Sequence, residues 1–322
     1  MNSRTMKNLY PDIIPHHTFF LETGSKHTIY VEQSGNPDGI PVVFLHGGPC
    51  SGTKPDHRRF FDPDLYRIIL FDQRGCGQSL PFGELENNTT QDLIDDMERI
   101  RTRLAITQWL VFGGSWGAAL ALLYAQQHKA KVIGLVIRAV FLARQQDLDW
   151  FAKAGVAKIY PEQWQRLTES IPEQYRDDLV QGLCAALWGD DEVTKRRGAK
   201  EWIAWGGQVA LGNAYQSDPK SEHVTENSVK QVRMELHYAK HHYFIAENQI
   251  LDNCSVLLDI PTVIIHGRHD FVCPIEAGYS LHKALPDAEY VVLPEAGHIA
   301  QGQDMINALI AATDSFAAQH NK

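Results

Sequence analysis

Short apolar runs bounded by turn residues open the chain. Two alternating runs, at 18–23 and 28–33, flank Gly24-Ser25-Lys26, the pattern of a β-hairpin. Unbroken apolar runs follow at 41–45 (Pro-Val-Val-Phe-Leu), 67–71 (Arg-Ile-Ile-Leu-Phe), 109–112 and 132–137. Strands covered by helices on both faces read this way, whereas half-exposed strands alternate. Between the runs the period changes to three and four. Leu93, Ile94, Met97, Ile100 and Leu104 define one helical face behind Thr90, a residue type that caps helices. Residues 118–128 are rich in the strong helix formers Ala and Leu. Alternating strands and helices predict an α/β fold with a mostly parallel, doubly wound sheet.

Near Phe141 the pattern changes. From 141 to 258 nothing reads as a strand, and helical segments are expected at 145–159, 161–169, 173–187, 191–205 and 227–244. Strand-like runs resume at 261–266 and 290–293, with helices at 275–285 and 304–318. The expected organisation is an α/β domain made of 1–140 and 259–322, interrupted by an all-helical cap at 141–258. No internal repeat or low-complexity tract is visible.

Composition narrows the function classes. With 322 residues, 44% of them apolar and 21% charged, the chain can bury a large core. Its 30 basic against 39 acidic residues give a net charge of −9, which offers no attraction to nucleic acid or to anionic membranes. Residues 104–128 lack Asp, Glu, Lys and Arg, but Gly113 to Gly117 split them into halves shorter than the ~20 residues of a membrane span. No membrane segment is expected. The 5 cysteines are dispersed and form no Cys-x-x-Cys pair, so neither a disulfide framework nor a thiolate metal site is expected. Residues 1–15 contain no apolar run of the secretory kind, and a reducing, cytoplasmic location is expected.

Candidate chemistry centres on Gly113-Gly114-Ser115-Trp116-Gly117, a G-x-S-x-G pattern between a strand and a helix. A sharp turn there exposes the Ser hydroxyl beside the helix N-terminus, and glycines leave room for it. A Ser needs a base and a group that orients the base. In this kind of fold both lie on loops after late strands, acid first and His second. Asp270 follows the run at 261–266 and His298 follows 290–293. Two alternatives stay open: Asp270 as a helix cap, and His269 as the functional His. His46-Gly47-Gly48-Pro49 follows 41–45, where an N–H of Gly47 or Gly48, the latter preferred, would join that of Trp116 in an oxyanion hole. His237 and His241 are spaced as metal ligands on a helix, with His242 adjacent, but no H-E-x-x-H is present. They are expected to be ordinary polar residues, and no metal or cofactor is expected. Cys50, Cys76 and Cys273 lie on loops at the same sheet edge, where a bulky thiol adduct would obstruct the cleft.

These motifs, with Phe71-Asp72-Gln73-Arg74-Gly75-Cys76-Gly77-Gln78-Ser79 and Glu86-Asn87-Asn88-Thr89-Thr90, resemble the proline iminopeptidase family of serine peptidases, a branch of the α/β-hydrolase superfamily. The resemblance runs from about residue 10 to the C-terminus and includes cap segments at 138–151 and 235–244. It implies an α/β-hydrolase fold and release of N-terminal proline from small peptides, with Ser115 as nucleophile, His298 as base and Asp270 as acid. It also implies two cap glutamates for the substrate's imino group. One matches Glu235. At the other position, in Trp202-Ile203-Ala204-Trp205-Gly206-Gly207, this chain has Gly206. Phe141, Trp150 and Phe151, with Arg138, are the further residues expected around the substrate. Two readings compete with the peptidase. One is an esterase or amidase for another small substrate, suggested by Gly206, and the other is a non-catalytic receptor. The complete Ser115, Asp270 and His298 set argues against the receptor.

Overall fold

The two alternating runs pair as an antiparallel hairpin, β1 (His17–Glu22) and β2 (Thr28–Gly35). The continuous apolar runs become β3 (Ile40–Leu45), β4 (Tyr66–Phe71), β5 (Trp109–Ser115), β6 (Val132–Val140), β7 (Thr262–Gly267) and β8 (Glu289–Leu293). The computed structural model describes residues 8–216 and 224–320. Residues 1–7, 217–223 and 321–322, which fall within the expected α/β domain and cap, lie outside the described residues. The eight strands form one sheet in the order β1-β2-β4-β3-β5-β6-β7-β8. Pairing is antiparallel through β2–β4 and parallel from β4 to β8. The chain leaves β3 towards β4 and returns to its other side as β5. At such a switch point the strand ends open a crevice where ligands bind. His46 and Ser115 stand at those two ends.

Helices cover both faces. The helices α1 (Thr90–Arg103) and α2 (Trp116–Gln127) pack on one side through Leu93, Met97 and Leu120. The whole stretch from Trp116 to Ala125 is buried, which explains its lack of charge without any membrane. No helix among the described residues is long and apolar enough to cross one.

Between β6 and β7 the chain is helical. It forms α3 (Gln145–Ala152), α4 (Pro161–Glu169), α5 (Leu179–Trp188), α6 (Glu192–Leu211), α7 (Glu226–Lys240) and the single turn α8 (Gln249–Asp252). These helices share a core of their own that includes Leu167, Leu183, Trp205, Val232 and Leu236. After β7 come α9 (Ile275–Ala284) and α10 (Gln303–His320). The last of these covers the second sheet face with Met305, Leu309 and Phe316.

Several helix ends differ from the periodicity, each for a local reason. Thr89, not Thr90, caps α1: its hydroxyl accepts from the Asp92 amide while Asp92 accepts from the Thr89 amide. The Thr90 hydroxyl instead donates to the Tyr243 carbonyl, a long-range use no local pattern reveals. The helix α3 stops at Ala152, ahead of Gly155, which packs against Trp150. Only a 3₁₀ turn at Glu173–Tyr175 precedes α5, whose cap is Asp178. The helix α6 runs past Trp205 to Leu211. The helix α7 ends at Lys240 because His242, Tyr243 and Phe244 adopt left-handed φ values of 49°, 54° and 56°.

The motif residues at 72–90 brace the fold rather than line the site. Arg74 is buried and binds Asp96 through two nitrogens, at 2.6 and 2.9 Å. Asn88 donates to the carbonyls of Arg74 and Glu84 and accepts from the Tyr238 hydroxyl of α7 at 2.8 Å. Asp72 accepts from the amides of Thr53 and Gln78 and holds two loops together. Removing one partner of a buried ion pair strands the other charge, at a cost of about 3–5 kcal/mol. Arg74 keeps Asp92 at 3.0 Å, so Asp96→Ala is expected to lower the unfolding free energy towards the lower end of that range, about 3 kcal/mol in urea titration, still several times the loss from removing the exposed Asp259 beside Lys129.

Candidate active site

Ser115 occupies the turn between β5 and α2 with φ 58° and ψ −124°, a region that L residues seldom adopt. Two close backbone approaches hold it there. A Cβ on Gly113 would lie 2.1 Å from the Gly117 carbonyl oxygen, and one on Gly117 would lie 2.1 Å from that of Leu45. A side chain at Gly113 would push the start of α2 away from β5, and one at Gly117 would push it off β3. The elbow expected from the sequence is therefore fixed by contact.

Asp270 follows β7 and is buried. Its Oδ1 accepts from the amides of Val272 and Cys273, at 3.0 and 2.8 Å. His298, on the loop after β8, points Nδ1 at both carboxylate oxygens, 2.9 Å from each. Burial works against the Asp270 charge, yet the His298 ring, His266 and the Cys273 amide together hold the carboxyl below its ordinary value. With Nδ1 donating to Asp270, the lone pair of His298 is on Nε2. The sequence alternatives are thus separated: His298, not His269, meets Asp270. Arg138 does not line the cavity beside Ser115. It lies half-buried behind Gly114 and donates to the His298 carbonyl, which fixes the loop that carries the His.

On the other side of the elbow a Cβ built on Gly47 would lie 3.3 Å from Ser115 Cβ and 3.8 Å from its Oγ. Gly48, with φ 116°, lines the cavity beside it. The Trp116 indole N–H donates to Gln73 Oε1 at 2.9 Å, and Gln73 Nε2 donates to the His46 carbonyl. The His46 ring in turn accepts from the Gln73 amide. A closed hydrogen-bond circuit therefore fixes the loop after β3 and the start of α2, the two segments that flank the Ser115 side chain.

Ser115 opens into a cavity of about 290 Å³ between the sheet edge and the inserted helices. Its walls include Gly48, Trp116, Phe141, Phe151, Glu235 and Tyr243. The left-handed turn after α7 sets Tyr243 against Trp116 and Phe141, with ring centroids 5.2 and 4.9 Å apart. Sequence periodicity missed Tyr243, because its place depends on that turn. Trp150 is not a lining residue, since its indole donates to the Phe271 carbonyl at 2.8 Å. His237 donates towards the Asn88 carbonyl and His241 towards that of His237. Cys50, Cys76 and Cys273 are buried, and burial pushes the Cys50 and Cys273 thiols up, so ready attack on a thiol reagent is not expected.

Glu235 reaches the cavity from α7. Trp202 Nε1 donates to its Oε2 at 2.7 Å and Gln231 Nε2 to its Oε1 at 3.3 Å. No Lys, Arg or His is among the described residues lining the cavity. The other acid there, Asp147, is bound by Arg144 at 2.8 and 3.1 Å. Burial without a cation pushes the Glu235 carboxyl up to about 7, against the pull of Trp202 and Gln231. Gly206 also lines the cavity, inside α6 and with open space around it.

The sheet order, the elbow after β5 and the late acid and His are those of the α/β hydrolases, and the family described as alpha/beta hydrolase fold matches residues 40–304. Among solved structures, a carboxylesterase from Nitrososphaera gargenis aligns with TM-score 0.62 at 19% identity, covering 94% of this chain and 99% of that one. A proline iminopeptidase from Mycobacterium smegmatis aligns with TM-score 0.58, also at 19% identity, covering 94% and 98%. At such identities the likeness concerns the fold.

Sequence relatives go further. A probable proline iminopeptidase of Leptolyngbya boryana is 44% identical over 98% of both chains. Proline iminopeptidases of Xylella fastidiosa and Arabidopsis thaliana are each 43% identical, over 97% and 99% of this chain and 100% and 83% of their own. The chain belongs to the proline iminopeptidase family.

The buried carboxyl of Glu235 has a consequence for stability. A carboxyl raised from 4.5 to about 7 destabilises the fold once ionised; the penalty is absent below its ordinary value and complete above pH 7. Glu235→Gln removes it. At pH 8.5 the variant is expected to be more stable than wild type by about 3 kcal/mol in denaturant titration, with the gap closing below pH 5.

Proposed function

We propose that the chain is a serine exopeptidase that releases N-terminal proline from small peptides. One observation carries the reading: Ser115 and a buried carboxylate without a cation, Glu235, face the same small apolar cavity. A carboxylate left so lacks only a positive group from the substrate. An N-terminal imino group supplies it, and the reacting carbonyl is then one carbon away. Full-length relatives at 43–44% identity bear the name proline iminopeptidase, which favours the peptidase over the esterase or amidase alternative.

In this mechanism Ser115 Oγ attacks the carbonyl carbon of the first residue while His298 Nε2 takes the hydroxyl proton. Asp270 stays ionised and steadies the imidazolium through Nδ1. The developing oxyanion meets the backbone N–H of Trp116 and one from Gly47 or Gly48. His298 then protonates the leaving amine, and water releases proline from Ser115 by the same steps in reverse order of roles. Phe141, Phe151 and Tyr243 give the pyrrolidine ring an apolar wall. Arg138 acts as a positioning residue through the His298 carbonyl. We assign 141–258 as a cap domain over the site, since its helices form a core apart from the sheet. The small cavity suits short peptides, the net charge of −9 suits neither nucleic acid nor membrane, and 5 unpaired cysteines suit a cytoplasmic location.

Two variants test the assignment with L-prolyl 4-nitroanilide. Ser115→Ala is expected to reduce kcat by about 10³-fold or more with an unchanged melting temperature, and more than a trace of residual turnover excludes a serine mechanism. Gly206→Glu tests the amine site. The position is helical, and a Cβ there meets no atom within 4 Å, so the new side chain is accommodated. A second carboxylate is expected to raise kcat/KM for the prolyl substrate about tenfold to a hundredfold, the equivalent of ~1.5–3 kcal/mol for a charge-assisted bond. The N-acetylated substrate, with no charge to bind, should show no gain.

A further inference from the structure

Gly206 and Glu235 line the same cavity. Trp202, which donates to Glu235 Oε2, is one helical turn before Gly206 on α6, and Ile203 is three residues before it, so all of them share one face. Each lines the cavity. Phe151 adds an aromatic wall, edge-on to Trp202 with ring centroids 5.6 Å apart. Gly207 lines the cavity too, but a Cβ there would lie 2.6 Å from the Tyr215 ring, so no free space adjoins it. Among the glycines that line the cavity, Gly206 is the one where a Cβ would meet no atom within 4 Å, and Phe151, Trp202 and the part-exposed Ile203 line the same cavity, which has no cation among its described lining residues.

Pyrrolidine is a compact ring that closes back on its own nitrogen. Once its imino group sits at Glu235 and its carbonyl at Ser115, it has no atoms left to extend along α6. We propose that the recess at Gly206 holds the side chain of an N-terminal residue larger than proline, so that the enzyme also releases branched aliphatic and aromatic residues such as leucine and phenylalanine. The proposal rests on the reading of Ser115 as nucleophile and Glu235 as amine anchor. The reaction is unchanged: the amide C–N bond breaks, water gives its hydroxyl to the acyl group, and its proton goes to the leaving amine. What changes is the apolar surface buried beside the ammonium. A methylene matched to an apolar pocket is worth roughly 10–200-fold in kcat/KM, so filling the recess offsets the loss of proline's rigid ring.

The test measures kcat/KM for L-prolyl, L-leucyl and L-phenylalanyl 4-nitroanilides with the full chain, as wild type, Gly206→Leu and Gly206→Ala. Wild type is expected to turn over the leucyl or phenylalanyl substrate within tenfold of the prolyl one. Gly206→Leu, which fills the recess, should lower the leucyl-to-prolyl and phenylalanyl-to-prolyl ratios at least tenfold. Gly206→Ala is favoured in a helix and fills less, and it should lower both ratios by a smaller factor, which keeps the test decisive if the Leu variant does not fold. The proposal is overturned if wild type cleaves the prolyl substrate but both larger ones more than tenfold less well. It is also overturned if the ratios do not move in the folded variants. If wild type cleaves none of the three, the peptidase reading itself fails and the proposal with it.

Discussion

The contact between Gly117 and the carbonyl of Leu45 is the constraint on which the site depends. It presses the start of α2 against the end of β3 so closely that not even a methyl group fits between them. That approach holds Ser115 in its unfavourable backbone conformation and brings Gly47 against the same side chain. It also lets the Trp116, Gln73 and His46 circuit close, because its members come from three strand ends drawn to one point. A strained nucleophile persists only where its surroundings over-determine it. Here they do so through packing on one side and hydrogen bonds on the other.

A second set of contacts ties the helical segment to this frame. Arg74, Asn88 and Tyr238 form a buried chain from the loop after β4 to α7, and Thr90 holds the Tyr243 carbonyl. The helix α7 carries Glu235, and the left-handed turn beyond it carries Tyr243. The placement of Glu235 relative to Ser115 thus rests in part on contacts that this loop and α1 make with α7 and the turn beyond it. The motif at 72–79 is distinctive as sequence, and its work is to hold these parts in register.

Glu235 carries a stability cost. An apolar residue in its place would relieve the cost of a buried, unpaired carboxylate, and the two hydrogen bonds from Trp202 and Gln231 offset only part of that cost. In the function proposed above, that cost is offset when the substrate's imino group arrives. Gly206, on α6, adds no second carboxylate to the cavity, and a Cβ there would meet no atom within 4 Å.

Much of this was legible in the sequence because it depends on neighbours along the chain. Buried parallel strands announce themselves as unbroken apolar runs, and the pattern Gly113-Gly114-Ser115-Trp116-Gly117 between strand and helix announces the elbow. The order of Asp270 and His298 after late strands follows from the winding of the sheet. What the sequence left open depends on groups far apart in it. Thr90 was legible as a cap, but its hydroxyl meets a carbonyl 153 residues away. Arg138 and Trp150 were legible as site residues, yet one supports the His298 loop and the other the Phe271 carbonyl. Tyr243 entered the cavity through a backbone turn that no periodicity marks. Local pattern determined which residues form strands, helices and the sharp turn at Ser115, since those choices rest on spacing and backbone sterics. Only the tertiary structure decided which side chains face the cavity, because that choice rests on which distant polar group each one reaches first.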